Sequence, residues 1–280
     1  IKFSLEIVKA VKRAVGDEYP IIFRMSGLDL IEGSTTEEET IQWAKALEKE
    51  GVDILNIGIG WHESRVPTIY MKVPRMNFVY VAEEIRKHVN VPIVTSNRIN
   101  DPRDAEKILQ KGSADLVSMA RPFLADPEIL TKAKEERYDE INTCIACNQA
   151  CLDHVFEGKP ATCLVNPEAG REIDLKIVPA SKEKHILIVG AGPAGLEAAR
   201  VLAKRGHKVT LVDEKSEIGG QLNYSKLVPG KQEFYETLRY YRVQLHLLNV
   251  DVRLNYRLTE DDPLIDKVDE IIVATGRRGR

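Results

Sequence analysis

HILIVGAGPAGLEAARVLAKRGHKVTLVD, residues 185–213, reads as strand, glycine turn, helix and second strand. The first apolar run gives way to Gly190-Ala191-Gly192-Pro193-Ala194-Gly195, a G-x-G-x-x-G. The second closes on Asp213, 18 residues after Gly195. Such glycines permit a tight turn, close approach of backbone to a pyrophosphate and close packing of helix on strand. The helix N-terminus adds N–H donors and partial positive charge for phosphates. A carboxylate at the second strand end can accept from ribose hydroxyls. A lone match to this motif is weak, but here it stands between a strand and a helix, as its mechanism requires. A Rossmann-like dinucleotide domain over residues 184–280 is therefore expected; the bland reading is a glycine turn that binds nothing. Further on, EIGGQL (217–222) follows the acidic strand end and IIVATG (271–276) forms a later apolar strand.

Upstream lie the only four cysteines of the chain, Cys144, Cys147, Cys151 and Cys163, in CIACNQACLDHVFEGKPATC. The spacing C-x2-C-x3-C-x11-C places three soft, anionic donors close together and returns a fourth across a Gly-Lys-Pro turn. Four thiolates match the ligand count of a [4Fe–4S] cluster. Structural zinc is the rival, although its ligands more often come as two separated C-x-x-C pairs. Disulfides fit less well, because the neighbouring sequence reads as an intracellular, cytoplasmic enzyme without a signal peptide. Residues 141–183, the cysteine segment with its polar linker, separate the dinucleotide domain from what precedes it.

Composition bounds the remainder. A chain of 280 residues with 30% charged and 43% apolar residues suits two soluble globular domains. The net charge of -3 and pI near 6.2 give no reason to expect nucleic acid or an anionic membrane surface. No apolar run approaches the ~20 residues of a membrane helix.

Residues 1–140 alternate helix and strand. Helix 5–15 precedes strand 20–25; a helix around Ile41, Ala44 and Leu47 precedes strand 53–58; a helix around Val81 and Ile85 precedes strand 91–95. Helix 102–110, strand 114–119 and a helix from Pro127 complete the series. Thr35-Thr36-Glu37-Glu38-Glu39 offers a capping box, Gly51 a stop, and Asp101-Pro102 and Asp126-Pro127 each an N-cap with proline at the first helical position. Strands apolar throughout and joined by helices imply a parallel sheet buried on both faces. Four βα units are half of a TIM (β/α)8 barrel. An isolated half would leave two open edges, so the upstream barrel half is expected to be missing and the chain truncated at both ends. A doubly wound sheet is the alternative.

Barrel chemistry collects at the C-terminal strand ends. The expected ends carry Arg24, GIGWHESR (58–65), Asn97-Arg98 and Ala120-Arg121-Pro122. Arg24, Arg98 and Arg121 on one rim would suit a phosphorylated cofactor, since guanidinium binds phosphate bidentately; solubilising surface arginines are the plain alternative. His62 is the only histidine at such an end, and an ordinary pKa of ~6.5 makes it a candidate proton donor. A packed or merely orienting histidine is the rival reading. His88, His154, His185, His207 and His246 read as structural, and Trp61 as a pocket wall.

GIGWHESRVPT, TSNRIND, SMARPFLADPE, EINTCIACNQACLD, CLVNPE and EIGGQL together resemble the bacterial 2,4-dienoyl-CoA reductases, among the old-yellow-enzyme-related iron–sulfur flavoproteins. The resemblance spans nearly the whole chain; trimethylamine dehydrogenase and the 2-enoate reductases share the architecture. It implies a fatty-acid β-oxidation enzyme that passes electrons from NADPH through FAD and a [4Fe–4S] cluster to FMN, and so to an enoyl-CoA thioester. It further implies that Arg24, Arg98, Ala120 and Arg121 contact FMN. His62 would assist protonation, with Glu63, Ser64 and Arg65 at the substrate. Cys144, Cys147, Cys151 and Cys163 would ligate the cluster. Gly190, Gly192, Ala194, Gly195, Asp213, Glu214 and Gln221 would hold FAD. The upstream barrel half and the NADPH domain, in cis or on another chain, lie outside these residues, so the fragment alone is expected to be impaired. The competing readings are a non-catalytic electron-transfer module and a zinc-stapled nucleotide-binding protein.

Overall fold

The computed structural model describes residues 1–61 and 64–277. The chain divides into two compact units, Ile1–Phe123 and Leu124–Arg280.

The first unit is built from α1 (Lys2–Val15), β1 (Ile22–Leu28), α2 (Glu37–Lys49), β2 (Ile54–Ile59), α3 (Val79–Arg86), β3 (Ile93–Thr95), α4 (Pro102–Lys111) and β4 (Leu116–Val117), followed by α5 (Arg121–Ala125) at the junction. The four strands are parallel and ordered β1-β2-β3-β4. Each crossover advances the sheet one strand in the same direction, which is how a βα barrel is wound; a doubly wound sheet reverses. The caps act as their residues dictate. Thr36 Oγ1 accepts from the Glu39 N–H at 3.2 Å while Glu39 Oε2 accepts from the Thr36 N–H at 2.9 Å, starting α2. Asp101 accepts from the Arg103 N–H at 2.8 Å, Pro102 opens α4, and Gly112 closes it at φ 72°.

Register then decides what each face carries. Met25, Leu55, Ile57 and Ile59 alternate onto a core with Ala44 and Leu47 of α2 and Val81, Ala82 and Ile85 of α3. Arg24 pairs in register with Asn56, and Ser26 with Gly58, on the other face. β1 and β2 are thus not apolar throughout: one face packs on helices, and the other carries Arg24, Ser26, Asn56 and Gly58, whereas β3 is buried along its length. Ile22 and Leu116, on the two edge strands, are 60% and 43% exposed.

The second unit contains α6 (Ile129–Lys134), a 3-10 turn (Tyr138–Glu140), a π-helical turn (Gln149–Asp153), α7 (His154–Phe156), β5 (His185–Val189), α8 (Pro193–Lys204), β6 (Lys208–Val212), α9 (Leu222–Ser225), α10 (Phe234–Leu247), β7 (Asp251–Arg253) and β8 (Glu270–Val273). Its strands are parallel in the order β7-β6-β5-β8. Direction reverses at β5, the switch point of a Rossmann-like sheet, where ligands bind beyond the strand ends. Ile186, Ile188 and Leu211 pack with Leu196, Ala199, Tyr241 and Leu245 of α8 and α10. The Asp126-Pro127 expectation is corrected here. Asp126 does not cap α6, which begins at Ile129 behind Glu128. Its buried carboxylate serves three other groups, the Glu128 N–H at 3.0 Å, Lys132 Nζ at 2.7 Å and the Asn142 N–H at 2.8 Å.

Candidate functional site

The glycine turn after β5 frames a cleft of about 840 Å³, lined among others by Gly190, Gly192, Ala194, Asp213, Glu214 and Gln221. The glycines do different work. Gly190 has φ 109°, and a Cβ there would collide with the Ala274 backbone at the end of β8. A Cβ on Gly195 would strike the Gly190 carbonyl oxygen, so this position holds α8 against the turn and lies outside the cleft lining. At Gly192 the nearest atom to a built Cβ is 4.0 Å away, and the absent side chain leaves bare floor. That bare backbone fits a pyrophosphate. Asp213 has a second role unseen in the sequence. Its Oδ2 accepts from the Ala191 N–H at 2.7 Å and its Oδ1 from the Lys215 N–H at 2.8 Å, fastening the glycine turn to β6. A carboxylate has about four acceptor sites, so capacity for a ribose hydroxyl remains. Gln221 Nε2 donates to the Arg277 carbonyl at 3.2 Å, bridging the cleft rim.

All four cysteines are free, Cys144 buried and the others half-buried. Two hydrogen bonds tie the outward and return arms of their loop together. The Thr162 N–H, next to Cys163, donates to the carbonyl of Ala150, next to Cys151, at 2.8 Å. Asn142 Nδ2, just before Cys144, donates to the carbonyl of Val165, just after Cys163, at 2.7 Å. Ala146 and Asn148, on either side of Cys147, take positive φ of 51° and 64°. Left-handed residues of this kind turn successive N–H groups toward one point. Burial pushes the Cys163 thiol up to about 11, against hydrogen bonds from the Val165 and Asn166 N–H groups and alongside the charges of Cys144 and Cys147. Burial likewise raises Cys147, which accepts from the Gln149 N–H and feels Cys144 and Cys151. Among the described residues, however, no three His, Cys, Asp or Glu side chains are gathered closely enough to hold a metal ion. In chemistry, though not in this spacing, four thiols are the donor set of a thiolate-ligated cluster, and N–H groups like those on the Cys147 and Cys163 sulfurs tune such clusters.

The first unit places the expected rim residues in different local settings. β1 runs on to Leu28, so Arg24 lies within the strand, not at its end. Its Nη1 donates to Asn56 Oδ1 at 2.9 Å, and its guanidinium lies 3.3 Å from where a Gly58 Cβ would stand. Arg98 is buried, with φ 54°, and its Nε donates to the Val73 carbonyl at 2.8 Å, anchoring the chain after β2. Ala120 is exposed and Arg121 half-buried at the start of α5. Ser64 Oγ donates to the Leu30 carbonyl at 3.0 Å, while Arg65 and Trp61 are exposed. His62 and Glu63 lie outside the described residues. Sequence reasoning passed over Asp29, just past the end of β1. It is 3% exposed and bonded to Ser26 Oγ at 2.5 Å, with no described partner for Oδ2. It missed Asn142 as well, whose partners Asp126 and Val165 are 16 and 23 residues away, and read Asp126 only as a helix cap.

Residues 1–140 match the NADH:flavin oxidoreductase / NADH oxidase family, and residues 184–280 match the pyridine nucleotide-disulphide oxidoreductases. A metal reductase of Desulforamulus reducens is 45% identical over 98% of this chain and 42% of its own length. A cinnamate reductase of Clostridium sporogenes is 33% identical over 100% of this chain and 44% of its own. The structure of a 2-naphthoyl-CoA reductase in complex with 2-naphthoyl-CoA superposes with a TM-score of 0.96 at 38% identity, covering 100% of this chain and 43% of that one. The chain thus spans less than half the length of the curated relatives it matches. It belongs to the NADH:flavin oxidoreductase / NADH oxidase family.

Proposed function

We propose that this chain forms part of an iron–sulfur flavoprotein that reduces a C=C bond conjugated to a carbonyl, with an enoyl or aryl thioester of coenzyme A as substrate and a 2,4-dienoyl-CoA as the specific case. The observation that carries the reading is the tied four-cysteine loop in the same compact unit as the dinucleotide cleft. When bound, FAD, a [4Fe–4S] cluster and FMN supply hydride acceptance from NADPH, one-electron relay and hydride donation respectively. The chain's own residues do the holding. The Gly192 backbone receives the FAD pyrophosphate, and Asp213 with Glu214 takes the adenosine ribose. Cys144, Cys147, Cys151 and Cys163 take the cluster. In the first unit Arg24, pre-oriented by Asn56, offers its guanidinium to the FMN side. His62 assists protonation of the substrate, and Glu63, Ser64 and Arg65 line its site. The coenzyme A ligand of the structural relative supports a thioester over an amine.

The test is chemical analysis of anaerobically purified chain, reconstituted with ferrous iron, sulfide, FAD and FMN. Four irons and four acid-labile sulfides per chain, lost together in Cys144→Ser, support the reading, as does reoxidation of the photoreduced protein by an enoyl-CoA. Zinc in place of iron, or reduction by a secondary or tertiary amine in place of reoxidation by the thioester, overturns it.

A further inference from the structure

Arg239 lies on α10 of the dinucleotide-binding part, far from any sequence motif, and its guanidinium is spent on the backbone leading into Cys144. Nη1 donates to the Asp139 carbonyl. Nη2 donates to the Ile141 carbonyl at 2.7 Å and to Thr143 Oγ1 at 3.1 Å. Nε pairs with Glu236 Oε2 at 2.8 Å, one turn earlier on the same helix, which fixes the plane of the fork. Three alternate residues, 139, 141 and 143, are thus read by one rigid group. Only a planar guanidinium can span such a set; a lysine ammonium is a point donor on a flexible stem. Between them Asn142 is held from the other side, its N–H by Asp126 and its amide by Val165. The lead-in to the first cysteine is therefore gripped between the dinucleotide fold and the return arm of the loop.

We infer that Arg239 is the positioning residue for the cysteine loop: it sets where Cys144 stands, so that an intact dinucleotide fold is a condition for retaining the cluster, and its charge biases the cluster's potential. The inference rests on the proposed reading of the four cysteines as cluster ligands. Partners that orient metal ligands typically contribute 10–100-fold in metal affinity. A positive charge removed from beside a cluster disfavours the added electron.

The test compares wild type, Arg239→Met, Arg239→Lys and Thr143→Val in the 280-residue chain loaded anaerobically with iron and sulfide. Three quantities are read: the rate of bleaching by a chelator, the midpoint potential, and amide exchange over residues 139–147 of the iron-free chain. Arg239→Met is expected to bleach about 10–100-fold faster, to exchange faster over 139–147, and to show a more negative potential. Arg239→Lys should restore the potential but not the slow bleaching. Thr143→Val, which removes one of the three contacts, should fall between. An Arg239→Met chain that bleaches and exchanges like wild type overturns the inference. So does full rescue of bleaching by lysine, which would reduce the role to charge. Should Arg239→Met lose dinucleotide binding and so its fold, the lysine and Thr143→Val variants decide alone. A wild type that takes up no iron refutes the proposed function, an outcome separate from any difference among the variants.

Discussion

Two glycines three residues apart give a sharp separation of stability from ligand binding. In Gly195→Ala the new Cβ would stand inside the contact distance of the Gly190 carbonyl oxygen. No side-chain rotation relieves a clash with backbone, so α8 must shift from β5. Overpacking of this kind costs about 1–3 kcal/mol, and the backbone partner puts this case at the upper end. For a unit of this size about 3 kcal/mol lowers the Tm by about 6–12 °C. In Gly192→Ala the backbone is already that of any residue, φ -78° and ψ 179°, and the nearest atom to the Cβ is 4.0 Å away. The less favourable N-cap and the reduced freedom of the unfolded chain offset each other, leaving stability within about 1 kcal/mol of wild type. The methyl now occupies the floor of the cleft, so FAD affinity should fall at least tenfold, or about 1.4 kcal/mol. Thermal melts followed by circular dichroism and fluorescence titration with FAD read the two effects separately. A Gly192→Ala chain that binds FAD like wild type, or a Gly195→Ala chain that melts with it, refutes the division of labour.

Two further predictions concern charged groups. Burial pushes Asp101 up, but the side-chain and backbone hydrogen bonds of Arg103 and the charges of Arg103 and Arg75 outweigh it, so its carboxyl is held below the ordinary range. A depressed folded pKa gives stability that is complete above the unfolded value of ~3.9 and is lost as pH falls through the folded one. Urea unfolding of wild type should therefore weaken below about pH 4, and Asp101→Asn, which keeps a cap, should show a flatter acid limb. A limb of equal steepness in the variant would remove Asp101 from the account. Arg200 is 5% exposed and donates to Glu197 at 2.8 and 2.7 Å, with Tyr241 Oη on the same carboxylate at 3.2 Å. Arg200→Met should cost about 2–3 kcal/mol by removing both charge-assisted bonds to that half-buried carboxylate, which keeps the Tyr241 hydroxyl, seen as a lower urea midpoint at unchanged slope; a loss under 1 kcal/mol would count against it.

What could be read in the sequence was local. The capping box at Thr36, the Asp101-Pro102 start, the glycine turn at Gly190 and the order of helices and strands depend on neighbours within a few residues. Strand ends were less legible. The residues after Met25 do not break the backbone pattern, so β1 continues and takes Arg24 off the expected rim. Asp126-Pro127 carries the same local signal as Asp101-Pro102, yet Lys132 and Asn142 claim the carboxylate. The cysteine spacing named a donor set but not its geometry, because loop closure depends on bonds between arms. Arg239 contacts residues 96 to 100 positions away and leaves no local trace.

The same long-range bonds separate the physical boundary from the boundary of resemblance. The flavin-family match runs to residue 140, but residues from Leu124 onward pack with the dinucleotide fold. Asn166 Nδ2 donates to the Leu124 carbonyl at 2.9 Å, Asp126 takes the buried Asn142 N–H, and Arg239 takes the Asp139 carbonyl. A polypeptide cut at the end of the match, 141–277, would leave the Asn142 N–H and the Asn166 amide without these acceptors, and would take the Asp139 carbonyl from Arg239, which keeps Ile141 and Thr143. At about 1–3 kcal/mol for each of the two stranded groups, the loss is on the order of 2–6 kcal/mol. That reaches the lower end of the whole stability of a domain, about 5–15 kcal/mol. Residues 124–277 should therefore unfold cooperatively in urea, while 141–277 should unfold at a much lower midpoint or not fold at all. Equal midpoints for the two would mean that these bonds form on the surface of an already stable fold, and that the cysteine loop owes nothing to the segment before it.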